Sequence, residues 1–401
     1  MTSTKLATRQ PPTSLRVITV MLAVACGATV ANLYYCQPLL PLLSTAFQVS
    51  HGTAAVVVTL TQIGYAIGLI LLLPLGDLLE NRRLASRLLI GTAIALAVAA
   101  SANTFGLFMA MSVLIGVTSV VAQILVPFAA HLAPEAERGR FVGRVMSGLL
   151  LGILLARTVA SLVAAAWGWR SIYIISAVMM LVLSFALARV LPARQPESRQ
   201  RYHHLLRSLG ALIRDEPVLR RRAVGQALMF GTFSAFWTSI AYQLVDRFGL
   251  SETGIGVFAL VGAAGALAAP VAGWINDRGW GSWGSGGAIL LVLIAMLVAG
   301  VGAHNLFWLG LAAVVLDLGV QGHQVMSQGE IYSLRADARA RINSVFMGTN
   351  FTGGAIASAL SGTLHDSYGW SGVTGLGVVL ASLGLAIWAG STLLRHRSLK
   401  Q

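Results

Sequence analysis

Landmarks in the first half of the chain return in the second half, in the same order. Asp77, followed by Arg82 and Arg83, returns as Asp277 followed by Arg278; Gln123 returns as Gln324; Arg138 and Arg140 return as Arg339 and Arg341; Gly168-Trp169 returns as Gly369-Trp370. A period held at 200 to 201 residues across these landmarks means that one unit is written twice. The matter between them is apolar. With 56% hydrophobic and 10% charged residues in 401, the chain has more apolar surface than a soluble domain can bury, so the fold's solvent is lipid. Doubled membrane bundles are the architecture of carriers.

Twelve apolar segments follow, at roughly 16–43, 53–76, 86–103, 105–131, 141–166, 170–191, 223–245, 252–275, 284–303, 305–331, 342–364 and 370–393. As helices rising ~1.5 Å per residue, each reaches across a hydrocarbon core of ~30 Å, some with tilt. The net charge of +14 is explained by where the cations sit. Alternate sides of the spans hold 25 and 2 of the 28 Lys and Arg, the last being Arg157 inside a span. The positive-inside rule therefore predicts a multi-pass protein of the cytoplasmic (inner) membrane, with both termini and the long central loop cytoplasmic. The basic charge marks topology, with a contribution from anionic lipid headgroups, and no nucleic-acid partner is needed to account for it.

This divides the chain into a cytoplasmic tail (1–15), a six-helix bundle (16–191), a basic linker (192–222), a second six-helix bundle (223–393) and a short cytoplasmic tail (394–401). In the linker, Leu205, Leu206, Leu209, Leu212 and Ile213 recur with helical spacing between arginines. The pattern fits a helix on the membrane surface or a flexible basic tether equally. The first apolar stretch is too long for a cleavable signal and reads as span 1. Cys26 and Cys36, on that span, stand about 15 Å apart along a helix and cannot bridge. No metal or cofactor motif occurs, and the short joints leave no room for a soluble catalytic domain.

The loop after span 2 and its copy after span 8 resemble the signature of the major facilitator superfamily: a Gly, three residues, an acid, then Gly and two bases. Asp77 holds the acid position, with Arg82 and Arg83 as bases, although Leu73 replaces the first Gly and Glu80 and Asn81 fill the next positions. Gly273 and Asp277, followed by Arg278, keep more of the pattern. Span 5 resembles the motif of the twelve-span drug and proton antiporter-like group. Gly143 and Gly152 keep its spacing, while Ala156, Arg157, Ala160 and Ser161 stand where Gly, Pro, Gly and Gly would be. Small residues at these places still permit close helix packing. Span 4 carries Ser112 where many proton-coupled efflux members have a membrane arginine, so coupling here cannot use that residue. The resemblance implies an all-α membrane protein of two pseudo-symmetric six-helix bundles, working as a monomer, with spans 1, 4, 7 and 10 around a central cavity.

Ionisable groups inside a bilayer are costly and mark function. Arg157 and Asp317 lie deep within spans, roughly 24 and 21 Å from the same membrane face, and have opposite charge. They are expected to meet between the halves, where protonation of Asp317 would free Arg157 or admit substrate; a permanent buried pair is the alternative. Asp317, Gln321, Gln324 and Gln328 form one helix face, which must look into protein or water. His323 lies off that face, as a packed or interhelical residue. The other cavity spans offer Asn32, Tyr35 and Gln37, then Gln123, then Gln226, Phe230, Phe233 and Trp237 at helical spacing. Amides and rings with one carboxylate suit a small amphipathic organic substrate with a cationic or aromatic part, although an aromatic stripe also serves packing. Asp77, Arg82, Asp277 and Arg278 are expected to gate the cytoplasmic side, with Glu135, Glu137 or Glu330 as partners across the halves.

The expected function is proton-coupled export of a small amphipathic compound, drug or metabolite, by alternating access. A proton-coupled importer or facilitator of a polar metabolite or sugar stays open, because nothing in the sequence fixes direction. A membrane enzyme would need paired carboxylates or a His cluster near an interface. A receptor or scaffold would not need the polar stripe.

Overall fold

The computed structural model describes residues 15–132, 137–193, 201–335 and 338–398, with the side chains at 77, 138, 263, 264, 266, 267, 269, 270 and 393–398 outside that description. Among the described residues all regular structure is helical. Among the described residues, nine helical stretches are long and apolar enough to cross a membrane. They match expected spans 1 to 6, 9 and 10 singly, and spans 11 and 12 together, because the helix Arg339–Ser398 runs through both. Gly369 (φ 60°, ψ −149°) is the joint between those two, and Gly168 (φ 82°) is the joint between spans 5 and 6. The repeated Gly-Trp is thus a positive-φ link that glycine adopts without a Cβ clash, followed in each half by a buried Trp.

The segments expected for spans 7 and 8 are helical but are not among the nine. Span 7, Pro217–Phe248, is one helix, and every residue from Met229 to Leu244 is buried. Gln226, Thr232, Ser234, Thr238, Ser239 and Gln243 lie on it, all buried. Such polarity is tolerable because protein rather than lipid surrounds this helix. Span 8 comes in three pieces, Glu252–Ala259, a tighter 3₁₀ turn Leu260–Leu267, and Ala268–Asp277. Pro270 lacks the N–H that would continue the α ladder there. Span 1 also breaks, into Leu15–Ala31 and Cys36–Phe47. Pro38 accounts for it, because its ring excludes the carbonyl of Tyr34 from α geometry; Leu33 and Tyr34 instead donate to Val30 and Ala31, three residues back.

The halves meet along an antiparallel seam of span 2 (His51–Leu71) and span 11. Gly52 faces Gly362, Gln62 faces Gly354, and Ile70 faces Gly348, with the Tyr65 and Phe351 rings 4.5 Å apart between them. The linker helix Tyr202–Asp215 buries Leu205, Leu209 and Leu212, with Leu206 half-buried and Ile213 exposed. Its Tyr202 hydroxyl donates to the Leu71 carbonyl at 2.8 Å.

Candidate functional site

The break in span 1 and the kink in span 8 bring the site together. Arg157, 3% exposed, reaches from span 5 to span 1, where its Nε donates to Gln37 Oε1 at 2.8 Å. Its guanidinium carbon lies 4.2 Å from the Trp237 ring centre, 5.0 Å from that of Tyr34 and 5.1 Å from that of Phe233. Three rings around one desolvated cation are a cation–π box. Asp317, also 3% exposed, accepts from Trp237 Nε1 at 3.0 Å. The expected meeting of Arg157 and Asp317 is therefore indirect. No direct ion pair forms between them among the described residues; one indole carries the cation on its face and the carboxylate on its N–H edge.

Span 8 closes the other side of Asp317. A Cβ on Gly265 would stand 2.5 Å from Asp317 Cβ, and one on Gly262 would stand 2.7 Å from the Trp237 ring and 2.8 Å from Asp317 Oδ2. Only glycine allows span 8 so near the carboxylate. Polar atoms remain unmatched at this centre and elsewhere in the spans. Arg157 Nη2, Gln37 Nε2, Gln62 Oε1 and both polar side-chain atoms of Asn350 are buried with no hydrogen-bond partner among the described residues. Buried polar groups are rarely left so, and membrane burial makes each one costly.

Two further polar groups join helices elsewhere in the bundle. Gln226 receives a 2.7 Å contact from His323 Nδ1 and donates to Gln324 at 3.4 Å, tying span 7 to span 10; His323 is packed and interhelical, as its place off the stripe predicted. Gln123 donates to the Tyr65 hydroxyl at 3.3 Å and accepts from Asn343 at 3.1 Å, and Asn343 accepts from Tyr332 at 2.8 Å. That chain crosses between the halves. Gln62 crosses too, donating to Ser234 at 2.8 Å. Phe230 stacks on Phe233, 5.4 Å apart, and meets Phe351 at 4.9 Å. Gln321 and Gln328 are half-buried on the Asp317 face of span 10.

Several expectations are corrected. Asn32 turns into its own half, accepting from Ser176 at 2.6 Å and contacting Met180. Tyr34, not Tyr35, faces Arg157, because the break shifts the helix phase by which Asn32 and Tyr35 were paired. In span 5, Gly152 packs on Gly27 of span 1 as its spacing implied, whereas Gly143 has open space beside it. Among the described residues, Arg82, Asp277 and Arg278 make no cross-half ion pair. Arg82 pairs with Glu80 at 2.9 Å and donates to the Leu191 carbonyl at 3.3 Å, within its own half. Arg278 lies over the Trp274 ring at 3.7 Å, and Asp277 is exposed. Glu330 is held by Arg221 and Arg222, close to it in the fold. The Asp77 side chain and Glu135 lie outside the described residues.

This is the site of a membrane transporter: buried charges on discontinuous helices at the meeting of two repeated bundles. The Major Facilitator Superfamily model matches residues 20–334, and the chain belongs to that family. It is 40% identical over 370 residues to the putative uncharacterized transporter YgaY of Escherichia coli K12, covering 92% of this chain and 94% of the relative. It is 34% identical to the probable transporter SCO4007 of Streptomyces coelicolor, covering 93% and 88%. A bacterial homologue of the human lysosomal transporter Spinster, solved inward-facing and occupied, has the same fold with a TM-score of 0.76 at 12% identity, covering 96% of this chain and 98% of that one.

Proposed function

We propose that the chain is a proton-coupled antiporter that exports a small amphipathic organic compound from the cytoplasm, as a monomer in the cytoplasmic membrane with both termini inside. The observation that carries this reading is the shared indole. Asp317 gains and loses a proton at the Trp237 N–H while Arg157 rests on the same ring, so the carboxylate's charge is felt by the cation and by anything bound beside it. Gln37, Trp237, Phe230, Gln123, Gln226, Gln324, Gln321 and Gln328 supply the amide and aromatic contacts of the substrate path, with Asn32 and Tyr35 bracing span 1. Asp77, Arg82, Asp277 and Arg278 latch the cytoplasmic side across the halves in the outward-open state and release in the other. A neutral or cationic compound competes with the proton for the neighbourhood of Asp317, and competition of that kind makes exchange.

A second reading is favoured by the unmatched donors Arg157 Nη2 and Gln37 Nε2, which would suit a carboxylate on the substrate. An anion at Arg157 is repelled by ionised Asp317 and welcomed when Asp317 is protonated. Proton and substrate then travel together, which is symport. Proteoliposomes with a pH dye in the lumen distinguish the two when chloramphenicol, ethidium and benzoate are added outside as neutral, cationic and anionic aromatic probes. With the lumen starting acidic, antiport raises luminal pH as ethidium or chloramphenicol enters in exchange for luminal protons; benzoate-driven acidification faster than in protein-free liposomes, which benzoic acid crosses unaided, marks symport. Asp317→Asn should abolish either proton signal while binding persists; a retained signal would remove Asp317 from the coupling.

A further inference from the structure

On the face opposite the arginines, the two halves meet at His51, His365 and Asp366. His51 opens span 2, while His365 and Asp366 follow span 11, just before the joint at Gly369. One ligand atom from each of the three lies within 4.8 Å of the others. The carboxylate is already positioned, accepting from Ser50 Oγ at 3.0 Å and from the Gly52 amide at 3.0 Å. The His51 ring is stacked on Tyr242, 4.0 Å between centres and 19° between planes, and His365 lies 5.9 Å from His51. Stacking fixes an imidazole plane but leaves its edge nitrogens free. Among the described residues, no protein group hydrogen-bonds to a ring nitrogen of either histidine. His51 and His365 are half-buried and Asp366 is exposed, so an ion can reach them from water.

We infer that His51, His365 and Asp366 form a Zn²⁺ site that bridges the two halves and holds this face closed. Two imidazoles and one carboxylate are a zinc donor set with a fourth position for water, and imidazole selects against Mg²⁺ and Ca²⁺, which take oxygen ligands. Around a tetrahedral ion with bonds of ~2.1 Å the donors stand about 3.4 Å apart, so the cluster tightens by roughly 1 Å, within reach of side-chain rotation. His51 belongs to one half and the other two ligands to the other. The complete donor set therefore exists only when this face is closed, and an ion that binds one state alone stabilises that state. The locking role rests on alternating access; the binding does not.

The test uses the full chain in lipid nanodiscs, titrated with Zn²⁺ by calorimetry and with Co²⁺ by visible absorption. One ion per chain is expected, with affinity falling at least ~10-fold in His51→Gln and in His365→Gln, and unchanged in His131→Gln, which removes a histidine far from the cluster. Equal affinity in the wild type and in both cluster variants would overturn the site. Spin labels at Asn103→Cys and His304→Cys, exposed positions on this face in opposite halves, report closure, since Cys26 and Cys36 are buried. Zn²⁺ should move the distance distribution to its shorter component in otherwise wild-type protein and not in His365→Gln. Binding without that shift would overturn the lock. Failure of the transport proposal would instead appear as absent proton signals with the titration intact.

Discussion

Gly265→Ala tests whether span 8 positions the Asp317 carboxylate. The new Cβ would fall 2.5 Å from Asp317 Cβ, 3.3 Å from its carbonyl carbon and 3.4 Å from its Cα. The first of these is the root of a side chain rather than its flexible end, so the two spans must separate or Asp317 must leave Trp237. Overpacking of this kind costs ~1–3 kcal/mol, and the backbone contacts place this case near ~2. In an Asp317→Gly background the 2.5 Å contact disappears and two tight contacts remain, which reduces the cost of the same substitution to below ~1 kcal/mol. The cycle thus predicts a coupling energy of ~1–2 kcal/mol between the two positions, within the range for touching residues. Four purified proteins, compared by unfolding in a common detergent, supply the measurement. Additive effects of the two substitutions would show that Gly265 and Asp317 do not press on one another, and the positioning role of span 8 would be lost.

Gly116→Ala places a Cβ against the Thr61 carbonyl and 2.8 Å from the Tyr65 amide, both backbone atoms; it should destabilise by ~2 kcal/mol or more, whereas Gly106→Ala, with open space beside it, should change the unfolding midpoint little. Gln123→Ala breaks the chain from Tyr65 to Asn343 across the halves; a loss of ~1 kcal/mol should shift the open-to-closed ratio on the arginine-rich face about fivefold, measured by spin-label distances across that face, and an unmoved ratio would deny the chain a gating role. Glu330→Gln removes the charge facing Arg222, which is 7% exposed; breaking such a pair should lower stability by ~2–4 kcal/mol, seen as reduced yield of monodisperse protein.

The fold was legible because lipid forces it. Long apolar runs, the arginine bias and the 200-residue period each follow from a bilayer, and the positions of Asp77, Gly168 and Arg138 repeat because the bundle does. That Arg157 and Asp317 are buried and partnered was also legible, since a charge deep in a span must find a partner. What escaped was the phase of broken helices. Read as one continuous helix, span 1 points to Tyr35 rather than Tyr34, although Pro38 signals the break. Gly262 and Gly265 were readable only as small residues, since nothing in one sequence says that a glycine faces a carboxylate from another span. The triad of His51, His365 and Asp366 joins residues more than 300 positions apart, and no local spacing announces it. The contacts of Arg82 and Arg278 with Glu80 and Trp274 escaped for a different reason: both partners are near neighbours in sequence, whereas the motif points across the halves.

The repeat also explains how a membrane core accommodates two buried charges. Gln37 meets Arg157 in the first half, and Thr238 meets Ser358 at 3.1 Å in the second, each pair 120 positions apart in sequence; each member of the second pair lies 201 positions after its counterpart. The polar crossing is retained, and its chemistry is changed from an ion held by an amide to two hydroxyls. Span 4 and span 10 show the same exchange. Gly116 gives its space to the backbone of Tyr65 on span 2, whereas Asp317, at the matching place on span 10, takes space that Gly265 of span 8 gives up at the position matching Tyr65. The glycine has moved to the other helix, so the close approach of the helices survives while a carboxylate enters. Each charge therefore occupies a crossing that its symmetry mate already fills with neutral groups, and the bundle need not be rebuilt to hold it. Arg157 comes from the first half and Asp317 from the second, while Trp237, which touches both, lies on span 7 at their meeting. A relative motion of the halves must change how the indole is shared, and under the proposed proton coupling that is what links the protonation of Asp317 to the exposure of Arg157.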